Sequence, residues 1–379
     1  MTAEIGVAAR AARWVRRFAG DVGDAHVLGT VRIAFGAMLF WQTLELGRDL
    51  ETRGYFGDAF HVPFVPEAWM PSARVYAGML AARLLFAALV LVGQAARPAL
   101  LASSLLGMYG LLCDRVQFHH NRYALYCFAF LLAFTPCHRA LVLTRGDAEG
   151  PGERLGSLWA QRVAQVQVAL IYVASGGSKL FDRDWRDGLV IADRFARYGG
   201  EALARGVPAA VVEWFSRPSV TSGLAKLAIA TELFLAVGLW LPRTRVFAIW
   251  WGVMFHLTIE VTSRVELFTW LTLATYAFFV VPDYRARKLY FDATRPSGAW
   301  TARAVAALDW FARFEVRAWS PDGLRGGHSV VVVRRDGTRA TGVRAIAMIA
   351  RCVPLLFPLW APLAFAASFT RGGEANTRA

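Results

Sequence analysis

Long apolar runs, separated by short polar connections that carry arginine, fill the first three quarters of the chain. A hydrocarbon layer about 30 Å thick requires roughly 20 apolar residues in a helix. Eight windows approach that length: about 26–46, 75–93, 98–114, 123–143, 163–180, 222–241, 245–262 and 265–282. The pattern predicts a mainly α fold, a polytopic helical membrane bundle of about eight spans occupying residues 26–282. Ahead of it, residues 1–25 include "RAARWVRRFAGDVGD", basic and mildly amphipathic, with no cleavable apolar stretch directly after it. That segment reads as a membrane-surface helix rather than a signal peptide.

The pattern changes after Asp283. "RKLYFDA" reads as a short strand, "AWTARAVAALDWFARF" as an amphipathic helix and "EVRAW" as a second strand. "HSVVVVRRDGTRATG" reads as two strands joined at Asp336-Gly337, where glycine tolerates the positive φ of a tight hairpin turn. "VRAIAMIARC" looks helical, and the proline-broken apolar end, 353–369, either caps this domain or touches the membrane. A β-α-β, β-β-α order predicts a small α/β domain over 283–370, followed by a polar tail at 371–379. No fixed-period repeat is visible.

Composition agrees with a membrane bundle: 56% hydrophobic, 18% charged, 14 Trp and 26 Phe, with a mean hydropathy of +0.38. A net charge of +14 would point to nucleic acid in a soluble chain. Here no arginine-rich run interleaves with aromatics, so no nucleic-acid partner is expected. The arginines flank the spans instead. Arg97, Arg139, Arg145, Arg154, Arg162, Arg243 and Arg245 fall on one side, as do Arg10, Arg13, Arg16, Arg17, Arg285, Arg287 and Lys288 in the tails. The positive-inside rule makes that side cytoplasmic, and an even number of spans puts both termini there. The opposite side holds 49–74 and 180–220, the second expected to form amphipathic surface helices. The preference for arginine over lysine, with high alanine content, suggests a GC-rich bacterial genome and so an inner membrane. The lipid bilayer is the expected partner, with a small-molecule substrate; no protein partner is identified. Cys113, Cys127, Cys137 and Cys352 form no CxxC or metal-type spacing and read as apolar filler.

Polar groups inside spans are costly and usually face a bundle interior or cavity. The fifth window carries Gln165, Tyr172, Ser175 and Lys179, spaced seven, three and four apart along one helix face. In the seventh, His256 and Glu260 lie four apart, as a catalytic pair or a buried structural one. Between the third and fourth, "CDRVQFHHNRY" brings Asp114, His119, His120, Asn121 and Arg122 to the same outer level. Arg32, Gln42 and Glu45 in the first window are expected to bridge helices or line the cavity mouth. Adjacent histidines on a helix point in different directions and neither has a carboxylate at i+4, so no metal is expected. "DRDW" reads as an N-cap with Trp185 at headgroup level. Lys179 is one of only three lysines among 42 basic residues. Unlike arginine, a poorly solvated lysine can lose its proton and act as a base; at a helix end it can equally snorkel to the interface.

"QVALIYVASGGSKLFDRDWRDG", "HHNRYALYCFAFLLAF" and "FHLTIEVTSRVELFTW", with "YFGDAF" after the first window, resemble the HTTM family over about residues 20–282. This is the transmembrane domain shared by vitamin K-dependent gamma-glutamyl carboxylase and many bacterial relatives. The resemblance implies that Lys179 is a base that deprotonates a reduced, vitamin K-like quinone. In the carboxylase, oxygen then yields a strong base that removes a glutamate γ-proton, and carbon dioxide adds to the carbanion. The carboxylase motif has a histidine beside the asparagine that opens its fourth span; here the pair is Asn121 and Arg122, unless His120 substitutes. The large luminal domain that captures propeptide-bearing substrates is also not seen. Residues 286–365 resemble a DCC-type thioredoxin-like domain, through "LYFDA", "LDWF" and "VVVRRDGTRATGVRAI". Its usual Cys-x-x-Cys is replaced by "FDATRPSGAW", so disulfide exchange is excluded and a binding or stabilising module is implied.

Two functional readings follow. The first is a quinone-dependent, carboxylase-like membrane enzyme with an outward-facing pocket. Its catalytic candidates are Lys179, His256 and Glu260, and its pocket candidates are Tyr172, Ser175, Asn121, Arg122, His120 and Asp114. The alternative is a non-catalytic membrane binding, carrier or assembly protein with a structural polar cluster.

Overall fold

The computed structural model describes residues 20–53, 61–116, 118–143, 153–263, 267–281, 283–318 and 328–370, with positions 9, 12, 18 and 265. The expectations for the basic N-terminal segment with Arg10, Arg13, Arg16 and Arg17, for "YFGDAF", for Arg145 and for the tail from 371 lie outside the described residues. Contacts divide the chain into two units. One holds Arg32–Thr135 and Ser157–Phe279; the other holds Val22–Val31, Pro136–Gly156 and the chain from Val280 onward.

Each of the eight apolar windows holds one helix. They are α1 (His26–Arg53), α2 (Ala73–Val92), α3 (Ala96–Leu112), α4 (His120–Ala133), α5 (Trp159–Phe181), then α9 (Pro218–Gly238), α10 (Arg245–Ser263) and α11 (Phe268–Tyr276). Between α5 and α9 lie α6 (Arg183–Arg186), α7 (Leu189–Ala204) and α8 (Ala209–Ser216). Among the described residues, three stretches are long and apolar enough to cross a membrane: His26–Thr52, Ala73–Val92 and Pro218–Gly238. At 14 and 9 residues, α4 and α11 are shorter than a full span requires. Pro136 lies just beyond the end of α4, and α11 starts only after Leu267, a non-glycine residue at φ 55°.

Burial in the helical unit is inverted relative to a water-soluble protein. Trp41, Leu85, Leu105, Leu170, Val173, Val237, Val261 and Trp270 are exposed, whereas Arg32, Gln42, Arg83, Gln165, Glu232 and His256 are buried. Such a surface suits hydrocarbon rather than water, and it makes the unit that of a membrane protein. The buried polar groups join helices. Arg32 on α1 donates to Leu91 O at 2.9 Å and to Val90 O, among the last carbonyls of α2. Arg245 does the same for the end of α9, reaching Leu239 O and Trp240 O at 3.0 Å each. Gln42 Oε1 accepts from Arg83 Nη2 and Tyr126 OH at 2.7 Å each, which ties α1 to α2 and α4. Glu45 departs from the expected bridging role. It pairs with Arg48 within its own helix at 2.8 Å, because both side chains point outward.

The second unit is built on a four-stranded sheet in the order β4-β3-β5-β6; β1 (Val22–Asp24) and β2 (Leu155–Ser157) form a separate small sheet. β3 (Arg287–Phe291) and β4 (Phe314–Ala318) run parallel, joined through α12 (Pro296–Leu308). β5 (Val330–Val333) pairs antiparallel with β3, and β6 (Arg339–Thr341) with β5. The register places Leu289 beside Val316 and Val332. The hairpin turn falls at Asp336-Gly337, with Gly337 at φ 82° and Asp336 Oδ1 accepting from Thr338 N. Leu289, Val332, Phe314 and Val305 form the core with Met348 and Ile349 of α13 (Gly342–Cys352). The apolar end forms a 3₁₀ segment and α14 (Trp360–Phe369), both packed on α13. Cys352 is buried in this core, where burial raises its thiol above the ordinary value.

Candidate functional site

Where α5 meets α9, Gly176 brings the two backbones close: a Cβ there would lie 3.0 Å from Leu233 Cδ2 and 3.2 Å from Glu232 Cβ. This approach sets Glu232 of α9 opposite Lys179, one turn along α5 from Ser175. Lys179 Nζ donates to Glu232 Oε1 at 2.5 Å and to Ser175 Oγ at 2.7 Å. The side chains are 17% and 5% exposed, so this is an ion pair between a half-buried lysine and a buried glutamate. Asp182 ends α5 and caps α6 by accepting from Asp184 N and Trp185 N, which holds Trp185 with Lys179 Nζ 4.9 Å from its ring centre.

Two turns earlier on the same face, Tyr172 OH lies 2.9 Å from His256 Nε2 and 2.5 Å from Tyr276 OH. All three are buried. Gly252 makes room for this contact, since a Cβ there would stand 2.2 Å from Tyr276 OH. Thr269 Oγ1 donates to His256 O at 3.2 Å, fixing α10 against α11. Among the described residues, Glu232 Oε2, His256 Nδ1 and Glu260 Oε2 are buried without a hydrogen-bond partner. The site therefore combines a lysine–glutamate ion pair, a carboxylate oxygen beside it and a hydrogen-bonded tyrosine–histidine–tyrosine set within one bundle. Among the described residues no group of three or more His, Cys, Asp or Glu is placed to hold a metal.

Four of the candidates read from sequence come together here: Lys179, Ser175, Tyr172 and His256. Glu260 is on the helix of His256, but the bond His256 makes through Nε2 goes to Tyr172. The remaining candidates have other surroundings. Asp114 Oδ1 accepts from Val116 N at 3.0 Å and Val62 N at 3.4 Å, which organises the loop before α4. His119 caps α4, its Nδ1 accepting from the backbone N of the buried Asn121. Because His119 is extended at φ −125° rather than helical, its ring stacks on that of His120 with centres 4.8 Å apart. The expectation that these rings diverge is thus corrected. Arg122 lines a cavity with Arg83 and Tyr126.

Sequence reading missed Glu232 and Tyr276. A lone glutamate inside "LAIATELFLAV" was a signal of the same kind as Lys179. Tyr276 gave none in a chain with this many aromatics.

The fold and the site together define a helical membrane protein with a polar interior. The HTTM domain family matches residues 22–284, more than half of the chain, and the chain belongs to that family. No curated protein and no solved structure matches it.

Proposed function

We propose that the chain is a quinone-dependent, carboxylase-like membrane enzyme in which Lys179 acts as a base together with Glu232. The observation that carries this reading is the 2.5 Å contact between Lys179 Nζ and Glu232 Oε1, with Glu232 Oε2 buried and unengaged beside it. Taking two charges out of water costs several kcal/mol per ion, so such a pair is weak evidence for stability and stronger evidence for use. Ser175 fixes the ammonium, and Trp185 covers its other side.

The donor set fits a reduced, vitamin K-like quinone: Glu232 Oε2 is a free acceptor for one hydroxyl, and Lys179 is a cation for the oxygen left behind. When bound, such a group supplies an acidic hydroxyl and reducing electrons. Glu232 and Lys179 hold the proton removed, and Tyr172 with His256 offers a path for it along the bundle. Asn121, Arg122, His120, Asp114 and Glu260 belong to the wider pocket in this reading. It also includes eight spans, both termini in the cytoplasm and a bacterial inner membrane, supported by the eight helices and the arginine distribution. The strand order β4-β3-β5-β6 supports a thioredoxin-like module over 283–370; with no cysteine in 292–300, its role is binding or stabilisation.

One observation favours a non-catalytic role. The Lys179 ammonium is already engaged by Ser175, Glu232 and Trp185, as a staple between α5 and α9 would be. Binding and turnover of a naphthohydroquinone by the detergent-purified chain separates the two. The wild type is expected to bind saturably, and Lys179→Ala and Glu232→Gln to lose binding or turnover while remaining folded. Lys179→Arg, which keeps charge but cannot give up its proton, is expected to bind without turnover. A turning-over arginine variant would place the base on Glu232 alone, and no binding by folded wild type would leave the staple.

A further inference from the structure

We infer that a second site, the cavity bounded by α1, α2, α3 and α4, holds an inorganic anion of halide size. Arg83 is 2% exposed and donates only to neutral acceptors, Gln42 Oε1 and Tyr126 OH. Among the described residues it makes no ion pair, and no carboxylate lines the cavity. Arg122 lines the same space.

The hydrogen bonds fix what the cavity offers. Arg83 Nη2 has only protons to give, so the Gln42 atom facing it at 2.7 Å must be the oxygen. Tyr126 OH accepts from Arg83 and spends its own proton on that same oxygen. The Gln42 amide nitrogen is thereby left as a buried donor with no partner, and Arg83 Nε is a second. Two idle donors and an uncompensated guanidinium describe a place short of negative charge. An unpaired charge inside a bundle is costly, and a water supplies no countercharge. The free space is about 10 Å³, room for about one small body of the size of a water or a monatomic anion. Tyr126 packs so closely on Gly107, where a Cβ would lie 2.5 Å from its ring, that the wall has little freedom to widen.

The test is thermal unfolding of the detergent-purified full chain in chloride, bromide, acetate or gluconate at matched ionic strength. Chloride and bromide are expected to raise the wild-type Tm saturably, by at least about 3 °C over gluconate, as binding to the folded state requires. Arg83→Met removes the charge and is expected to show no halide dependence. Gln42→Glu supplies an internal carboxylate at the 2.7 Å contact and is expected to fold without halide dependence, so the test survives if Arg83→Met fails to fold. Equal wild-type stability in all four salts overturns the inference. So does stabilisation by acetate alone, or a halide effect that persists unchanged in Gln42→Glu.

Discussion

Lys179 was legible in the sequence because lysine is rare in this chain and stands at the end of an apolar run. Its carboxylate partner was not, because Glu232 arrives from 53 residues further on and only the packing of α5 on α9 shows which face it presents. Tyr172, Ser175 and Lys179 were found together because helical periodicity alone places them on one face; His256 and Glu260 share a face as well, but the bond of His256 Nε2 goes to Tyr172. Small residues decide the geometry around these groups. Gly252→Ala would drive a methyl into Tyr276 OH, forcing that ring off Tyr172. A destabilisation of about 1–3 kcal/mol is expected, measurable by denaturant unfolding in detergent, as overpacking of a tight contact generally costs. Any hydroquinone turnover should fall with it, because the relay to His256 loses its neighbour.

At the scale of elements, all eight apolar windows became helices, but their ends followed local chemistry that hydropathy does not carry. The clearest case is the passage from α5 to α7. Asp182 caps α6, and Gly188 then turns the chain at φ 83°, where an added Cβ would sit 2.4 Å from Ser222 N. Gly188→Ala combines a strained backbone with a backbone clash, and is expected to cost more than about 2 kcal/mol. Asp182→Ala removes only the cap, at about 1 kcal/mol. The two are distinguished by Trp185: its fluorescence, read in a background lacking the other exposed tryptophans, should shift in both variants, with the larger loss of stability confined to Gly188→Ala.

At the scale of the whole chain, the family match ends at residue 284, where the character of the sequence changes and the second unit's sheet begins. The alternation of that sheet was readable because strand, helix and turn signals there are local; the parallel pairing of β3 with β4 was not, since it depends on the crossover through α12. This unit also carries a titratable strain. Asp309 accepts from Phe314 N at 2.7 Å, yet burial holds its carboxyl above the ordinary value. A carboxyl raised in the folded state contributes stability below its unfolded pKa and loses it as pH rises through the folded one. Asp309→Asn keeps an acceptor for Phe314 N and removes that loss. The variant is therefore expected to gain stability relative to wild type at pH 7 compared with pH 4, seen in paired thermal melts; an equal difference at both pH values would contradict it.

The contact between Arg32 and the last carbonyls of α2 bears on how the protein is made. Val90 follows Arg32 by 58 residues, so the ribosome has delivered α1 well before the groups that satisfy its guanidinium exist. During that interval the arginine of α1 lacks these two acceptors. The first hairpin of the bundle is thus expected to assemble as a pair, α1 gaining these acceptors only when its second helix has emerged.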